Sequence, residues 1–241
     1  MVEWLLEPID PSRTHLVGFA VSWHGRMMVL AWGVIAPVAV LTARYFKVLP
    51  NQDWPRELDN QFWWRTHWIG QSVAMALTVA SVLLVQSAVT ATGWHGRFGY
   101  GVLAIGLLQV VLGLVRGSKG GPTAPGPDGG LRGDHYDMTR WRLMFEFAHK
   151  SLGYLALALA IATICLGLWS ANAPRWMWLA LALWWTALLL IALVLQRKGW
   201  AIDTYQAIWG PGLEHPGNRR PKQGWGMRRF SGEESENVRS G

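Results

Sequence analysis

Five long apolar runs constrain what this chain can fold into. They cover approximately residues 16–46, 64–89, 94–115, 141–169 and 176–195, the fourth starting near Trp141 or Leu143. Each is about 20 residues or longer, which is the length an α-helix needs to cross the hydrocarbon core of a bilayer. The sequence therefore predicts an all-α integral membrane protein with five transmembrane helices, here called spans one to five.

The overall composition agrees with a membrane protein. Only 15% of the residues are charged, a low fraction for a soluble domain, and the 17 tryptophans are typical of two interfacial belts. The formal net charge of +7 does not indicate nucleic-acid binding, because the basic residues lie between and after the apolar runs and not in one patch. Membrane lipid is therefore the expected partner, and nucleic acid is excluded.

The distribution of cations predicts the orientation. Five spans place the two termini on opposite sides, and the loops after spans one and three lie on the side of the C-terminus. The side of the N-terminus carries few cations, namely Arg13, Arg26, Arg97 and Arg175. By the positive-inside rule, we expect the N-terminus outside and a cytoplasmic C-terminal tail.

Four segments follow from this organisation. They are a short N-terminal segment (1–15), a four-helix core (16–171), a fifth transmembrane helix (172–196) and a polar cytoplasmic tail (197–241). The tail is too polar and too rich in proline to predict a core of its own. Residues 117–139 are rich in Gly, Pro and Asp, which predicts a flexible loop.

A repeated tetrapeptide marks the start of spans one and three. Trp-His-Gly-Arg occurs at residues 23–26 and again at 94–97. In an up-down-up-down bundle, spans one and three run in the same direction, so His24 and His95 share one depth near the outer face. A histidine in apolar surroundings is costly and needs a partner. Two at one depth indicate a shared haem iron with an axial ligand on each face.

Spans two and four contain a second histidine pair. His67 and His149 share one depth near the cytoplasmic face by the same argument. The sequence therefore predicts a four-helix haem-binding bundle with two stacked bis-histidine sites. The remaining histidines are expected to be solvated (His135, His215) or interfacial (His15).

Residues near the four histidines match the requirements of haem b. Glycines close to them would let a flat macrocycle approach: Gly25, Gly96, Gly70 and Gly153. Nearby cations are candidates for binding the haem propionates: Arg26 and Arg97 outside, and Arg65, Arg142 and Lys150 inside. Because the chain has one cysteine, Cys165, it has no thioether attachment motif and the haem is expected to be held non-covalently.

These residues together resemble the cytochrome b561 family, and most nearly the b561 core that follows a DOMON domain in some eukaryotic proteins. The resemblance covers roughly residues 23–170. Its matching positions, in chain order, are His24-Gly25, Trp32-Gly33, Pro37, Ala43-Arg44-Tyr45, Lys47, His67, Gln71, His95, Gly99, Gln109, Arg116, His149, Gly153-Tyr154 and Gly167-Leu168.

The resemblance implies two haem b groups, ligated from span one to three and from span two to four. It also implies transmembrane electron transfer, often from ascorbate to ferric chelates or monodehydroascorbate. The sequence departs from the family in three respects: five spans where six are usual, no DOMON domain before the core, and no match to the basic ascorbate-binding motifs. The donor and acceptor therefore do not carry over.

We expect a transmembrane electron-transfer protein, and its activity as a membrane oxidoreductase stays open. Four classes of redox partner are compatible with the sequence: a quinol, a cytochrome, an ascorbate-like reductant and a ferric chelate. A homodimer is one expected assembly. An alternative is a haem-containing accessory subunit of a larger membrane complex, with a structural or relay role. A transporter with histidine proton relays is a third and weaker hypothesis. The compact loops and lack of extra domains favour a bacterial inner membrane.

Overall fold

The computed structural model describes residues 2–86, 93–121, 125, 127–222 and 224–231. Within these ranges the regular elements are helices, and five of them are long and apolar enough to cross a membrane. They are Phe19–Tyr45, Phe62–Gln86, Gly93–Leu114, Arg140–Ser170 and Arg175–Arg197. The prediction of an all-α membrane protein with five spans is confirmed. The predicted end of span two at Val89 and the turn at residues 90–92 lie outside the described residues.

Span one contains an irregular turn next to its proline. Residues Val29–Ile35 form a π-helix, and Pro37 lies two residues after its end. Pro37 has no N–H, so the carbonyl of Gly33 loses its helical donor. Two indoles from span five replace that donor: Trp184 Nε1 and Trp185 Nε1 donate to Gly33 O at 2.9 and 3.2 Å. A broken backbone bond at membrane depth is thereby satisfied by a neighbouring helix.

The chain forms two compact units. The first comprises Met1–Ala39, Ile69–Leu108 and Gly153–Ala192. Its core consists of Ala31, Trp32, Ala36, Ala74, Met75, Val102, Ala156, Ala160 and Ile164. Small residues let its helices approach closely, since a Cβ added at Gly70 would lie 2.9 Å from the Cβ of Ala39. Trp32 Nε1 donates to Thr78 Oγ1 at 2.9 Å inside this core.

The N-terminal segment is fastened within the first unit. The buried side chain of Asn172 donates from Nδ2 to the carbonyls of Asp10 and Arg13, and its Oδ1 accepts from the N–H of Asp10. His15 Nδ1 lies 2.7 Å from the carbonyl oxygen of Ala171. The segment before span one is therefore held by the turn that connects spans four and five.

The second unit comprises Val40–Trp68, Gln109–Leu152 and Leu193–Gly241. It contains a short tail helix, Thr204–Trp209, in which all residues from Tyr205 to Trp209 are buried. The apolar cluster around this helix consists of Met138, Tyr205, Ile208 and Trp209, with Trp63, Tyr136 and Leu143 packed against it. The described part of the polar tail thus shares an apolar cluster with the loop after span three and with the starts of spans two and four.

This shared cluster corrects one expectation about histidine. His135 is only 3% exposed, and its ring lies against Tyr205 and Trp209 with centroid distances of 5.8 and 5.7 Å. His215 is also in contact, with its ring 5.9 Å from that of Tyr136. Neither histidine is the freely solvated side chain that a polar loop predicts, because the loop and the tail bury each other's aromatic rings.

Candidate haem-binding histidine pairs

The first unit places the imidazoles of spans one and three together. The ring centroids of His24 and His95 are 6.0 Å apart and their planes are inclined at 81°. His24 Nδ1 lies 2.8 Å from Ser81 Oγ and 3.3 Å from the Ser81 carbonyl oxygen. His95 Nδ1 lies 3.0 Å from the carbonyl oxygen of Thr163. A carbonyl only accepts, so Nδ1 of His95 carries the proton and Nε2 keeps a lone pair for a metal.

A glycine of span four makes room for one of these rings. A Cβ at Gly167 would lie 2.9 Å from His95 Cε1 and 3.2 Å from its Nδ1. Any larger residue there would push against the imidazole. A Cβ at Gly25, next to His24, would meet no protein atom within 4 Å, so open space adjoins this glycine.

The second unit places the imidazoles of spans two and four together. The ring centroids of His67 and His149 are also 6.0 Å apart, with planes inclined at 77°. The ring of Phe145 stacks on that of His149, with a centroid distance of 5.2 Å and an angle of 23°. Gln109 Nε2 in span three donates to the carbonyl of His149 at 2.9 Å, which ties span three to span four beside the ring.

The spacing of both pairs fits a metal held between two imidazoles. A metal–nitrogen bond of about 2 Å on each side, with about 1 Å from nitrogen to ring centre, gives a centroid distance of about 6 Å. No group of three or more His, Cys, Asp or Glu side chains that could hold a metal occurs among the described residues. A haem macrocycle leaves two ligand positions to the protein, and each histidine pair offers two imidazoles; their role as haem ligands stays a prediction.

The predicted propionate-binding cations have varied surroundings. Arg26 lies over the ring of Trp23 and Arg97 over that of Trp94, each a neighbour in the repeated tetrapeptide. Arg65 is exposed. The role of Arg26, Arg97 and Arg65 in binding propionates stays a prediction.

Two of the predicted cations, Arg142 and Lys150, bind a buried carboxylate. Arg142 Nε donates to Glu146 Oε1 at 3.1 Å, and Lys150 Nζ donates to Glu146 Oε2 at 2.7 Å. Glu146 is 4% exposed, and His135 Nε2 lies 3.8 Å from its Oε1. The spacing of four residues between Arg142, Glu146 and Lys150 was the signal for this cluster, because such residues share one face of a helix.

The four glycines predicted to admit a macrocycle have different surroundings. Gly70 lies against Ala39, so its lack of a side chain serves the packing of span one on span two. The open space beside Gly25 is consistent with the approach of a macrocycle. The contribution of Gly96 and Gly153 to a haem site stays a prediction.

The second unit contains further buried ionisable groups outside the spans. Lys47 is 3% exposed, and its Nζ donates to the carbonyls of Arg44 and Ile202 at 3.0 and 2.9 Å. Burial, with the nearby charge of Lys150, lowers the pKa of Lys47 to about 7. Burial, reinforced by Arg142, lowers the pKa of His135 to about 3, so this ring is neutral.

Comparison with known proteins gives one family. The family model described as eukaryotic cytochrome b561 matches residues 23–118, a range that includes His24, His67 and His95 but ends before His149. No solved structure matches the chain significantly. The expectation of a bacterial inner membrane gains no support, because the family is described as eukaryotic and the relatives below come from a plant and from vertebrates.

Three relatives illustrate the similarity. A cytochrome b561, DM13 and DOMON domain-containing protein of Arabidopsis thaliana is 24% identical over 60% of this chain and 14% of its own length. A putative ferric-chelate reductase 1 of Xenopus laevis is 26% identical over 67% of this chain and 24% of its own. Ferric-chelate reductase 1 of Bos taurus is 27% identical over 60% of this chain and 22% of its own length. The chain thus spans less than a quarter of the length of these relatives. Over residues 23–118 the chain is therefore similar to the cytochrome b561 family, and its five apolar spans agree with that similarity.

Proposed function

We propose that this chain carries electrons across a membrane through two haem b groups. His24 and His95 would hold one group, and His67 and His149 the other. The observation that supports this most strongly is the pair of equal centroid distances, 6.0 Å each, between histidines contributed by four different spans. When bound in such pairs, haem b supplies reversible one-electron exchange.

The chain's own residues determine what each site can do. With an imidazole on each side, each pair would supply both protein ligands of a haem and would leave no coordination position for dioxygen or a substrate. Ser81 and Thr163 orient the rings of His24 and His95 through Nδ1, and such outer contacts fix the ring tautomer and raise the basicity of the ligand. Phe145 holds the plane of His149 by stacking. The sites are therefore specialised for electron transfer.

The proposal includes a membrane orientation, an acceptor class and a donor class. The cation distribution supports an N-terminus outside and a cytoplasmic C-terminus. The names of the two vertebrate relatives refer to ferric-chelate reduction, and we infer a ferric chelate as the acceptor for this chain. An ascorbate-like reductant, a quinol or a cytochrome is the proposed class of donor.

Reconstitution into sealed vesicles tests this function. Ascorbate is trapped inside proteoliposomes that contain the purified protein, and ferric citrate is added outside with a ferrous-specific chromogenic chelator. We expect ferrous iron to form at a rate proportional to the protein content. Vesicles without protein provide the background rate.

Histidine variants test whether electron transfer depends on the two histidine pairs and not on any histidine of the chain. His24→Ala and His67→Ala each remove one ring of one pair and should each reduce the rate to the background. His15→Ala is the matched control, since His15 contacts the carbonyl of Ala171 and belongs to neither pair. Wild-type protein that contains haem yet transfers no electron to any external acceptor, with any trapped donor of these classes, would contradict the proposed function.

A further inference from the structure

A basic pocket lies in the second unit, outside the histidine pairs. Its volume is about 90 Å³. Its walls come from the start of span two, the loop after span three, the start of span four and the tail helix. The residues used below are Asp59, Trp63, Trp64, Arg116, Lys119 and Arg142.

The lining of this pocket has an excess of positive charge. Three lining side chains are cations (Arg116, Lys119, Arg142), whereas one is a carboxylate (Asp59), which accepts from Lys119. Arg142 pairs with Glu146, but that carboxylate is shared with Lys150. Arg116 lies over the ring of Trp64 at 4.1 Å and forms no ion pair with the described carboxylates.

The two guanidinium groups also disfavour each other. Burial and the charge of Arg142 lower the pKa of Arg116, although an arginine stays protonated at any physiological pH. Asp134, which accepts hydrogen bonds from Ser118 and Thr139, offsets part of the charge of Arg142. Two partly buried cations that face each other are stabilised when an anion binds between them.

The pocket stands next to both members of one histidine pair. Trp63 and Trp64 precede His67 by four and three residues, so they occupy the same face of span two about one helical turn away. Arg142 lies over the ring of Phe145 at 4.9 Å, and that ring stacks on His149. Carboxylates attached to the edge of a macrocycle bound by these two histidines would be within reach of the pocket.

We propose that this pocket binds the propionate carboxylates of the haem held by His67 and His149, with Arg116 and Arg142 as their main partners. This inference rests on the proposed function. It gives Arg116 a role that the cations predicted from the sequence do not include, and it gives Arg65 and Lys150 none, because neither lines the pocket. Thr204 and Ile208 also line the pocket, so the tail helix forms part of this haem site.

Substitution of Arg116 tests the inference through the haem itself. Removing a cation next to the propionates favours the ferric state, so Arg116→Gln should lower the midpoint potential of one haem and leave the other unchanged. We expect the ferrous-to-ferric ratio of that haem to fall about tenfold at fixed ambient potential, which corresponds to about 59 mV for one electron. An optical redox titration of purified protein measures both potentials, and resonance Raman spectra report the bending modes of the propionates.

Three variants make the result specific. Arg132→Gln removes the same charge from an exposed position of the same loop and should change neither potential. Arg116→Lys keeps the charge and should restore most of the wild-type potential while its propionate modes still differ, because lysine lacks the planar fork. Lys119→Gln, at the same pocket, should lower the same potential, and it provides a second reading if Arg116→Gln does not fold.

The outcomes that overturn the inference differ from those that overturn the proposed function. Wild-type protein without haem would remove the proposed function. Two bound haems whose potentials and propionate modes are unaffected by Arg116→Gln and Lys119→Gln would overturn the inference alone. A shift in potential on adding inorganic phosphate to the wild type, absent in Arg116→Gln, would show that the pocket holds a soluble anion and would also overturn it.

Discussion

The substitution Gly167→Ala should remove one haem without unfolding the protein. A Cβ at this position would lie 2.9 Å from His95 Cε1, whereas an ordinary carbon contact is about 3.5 Å, so the ring must move by about 0.6 Å. Metal–ligand distances tolerate only about 0.2 Å. The displacement also lengthens the 3.0 Å contact between His95 Nδ1 and Thr163 O, which costs about 1 kcal/mol.

The same substitution also stabilises the helix of span four, which opposes the cost of the lost contact. Alanine is favoured over glycine inside a helix by about 1 kcal/mol, so the gain in span four offsets the lost contact. The folded protein should therefore accumulate normally while haem is lost from His24 and His95. The pair of His67 and His149 contains neither residue of this clash, so its haem should remain.

A pyridine haemochrome assay on purified protein measures this effect as haem per chain, which should fall from about two to about one on the proposed stoichiometry. Gly113→Ala is the matched control, because a Cβ there meets nothing within 4 Å. A Gly167→Ala protein with the full haem content and an unchanged reduced spectrum would refute the reasoning.

Three further predictions concern other contacts. Trp184→Phe combined with Trp185→Phe leaves the Gly33 carbonyl without its donors and should destabilise the protein by about 1–3 kcal/mol, measured as a lower thermal midpoint in detergent. The pKa of Lys47 is lowered to about 7, so between pH 7 and its ordinary pKa of 10.5 the unfolded chain binds more protons than the folded one. The free energy of unfolding should therefore rise with pH in this range, by at most about 1.4 kcal/mol per pH unit. Thermal melts at several pH values measure this slope, and Lys47→Met should abolish it. In Gly25→Ala, the added Cβ would have no protein atom within 4 Å. A reduced haem content in that variant would therefore reveal a macrocycle beside Gly25, and a full haem content would exclude a role of Gly25 in admitting the macrocycle.

The spans and the histidine pairing were accessible from sequence for a simple physical reason. A bilayer requires an uninterrupted apolar length, and the direction of each span fixes the depth of His24, His67, His95 and His149. The four side chains therefore lie pairwise together as the helix directions predict. Their role as haem ligands stays a prediction.

Contacts between distant segments were not accessible in the same way. The partner of Gly33 comes from Trp184 and Trp185, and no local pattern in either segment specifies which helix supplies the donor. A membrane tryptophan is equally compatible with lipid. Only the missing N–H of Pro37 indicates in advance that some donor is needed.

The tail shows a second limit of composition. Residues 197–241 have too few apolar side chains for a core, yet Tyr205 and Trp209 are each 1% exposed because the loop after span three covers them. Burial of His135 depends on the same partners. Two polar segments can thus share a core that neither predicts alone.

The number of haems per chain tests the central claim most directly. Haem and protein are quantified in the wild type and in His24→Ala, His67→Ala and the double variant, with His15→Ala as the control. The account predicts about two, one, one and no haems, and about two in the control, with a six-coordinate reduced spectrum in every variant that retains haem. A wild-type protein with a single haem, or a double variant that keeps its haem, would contradict it.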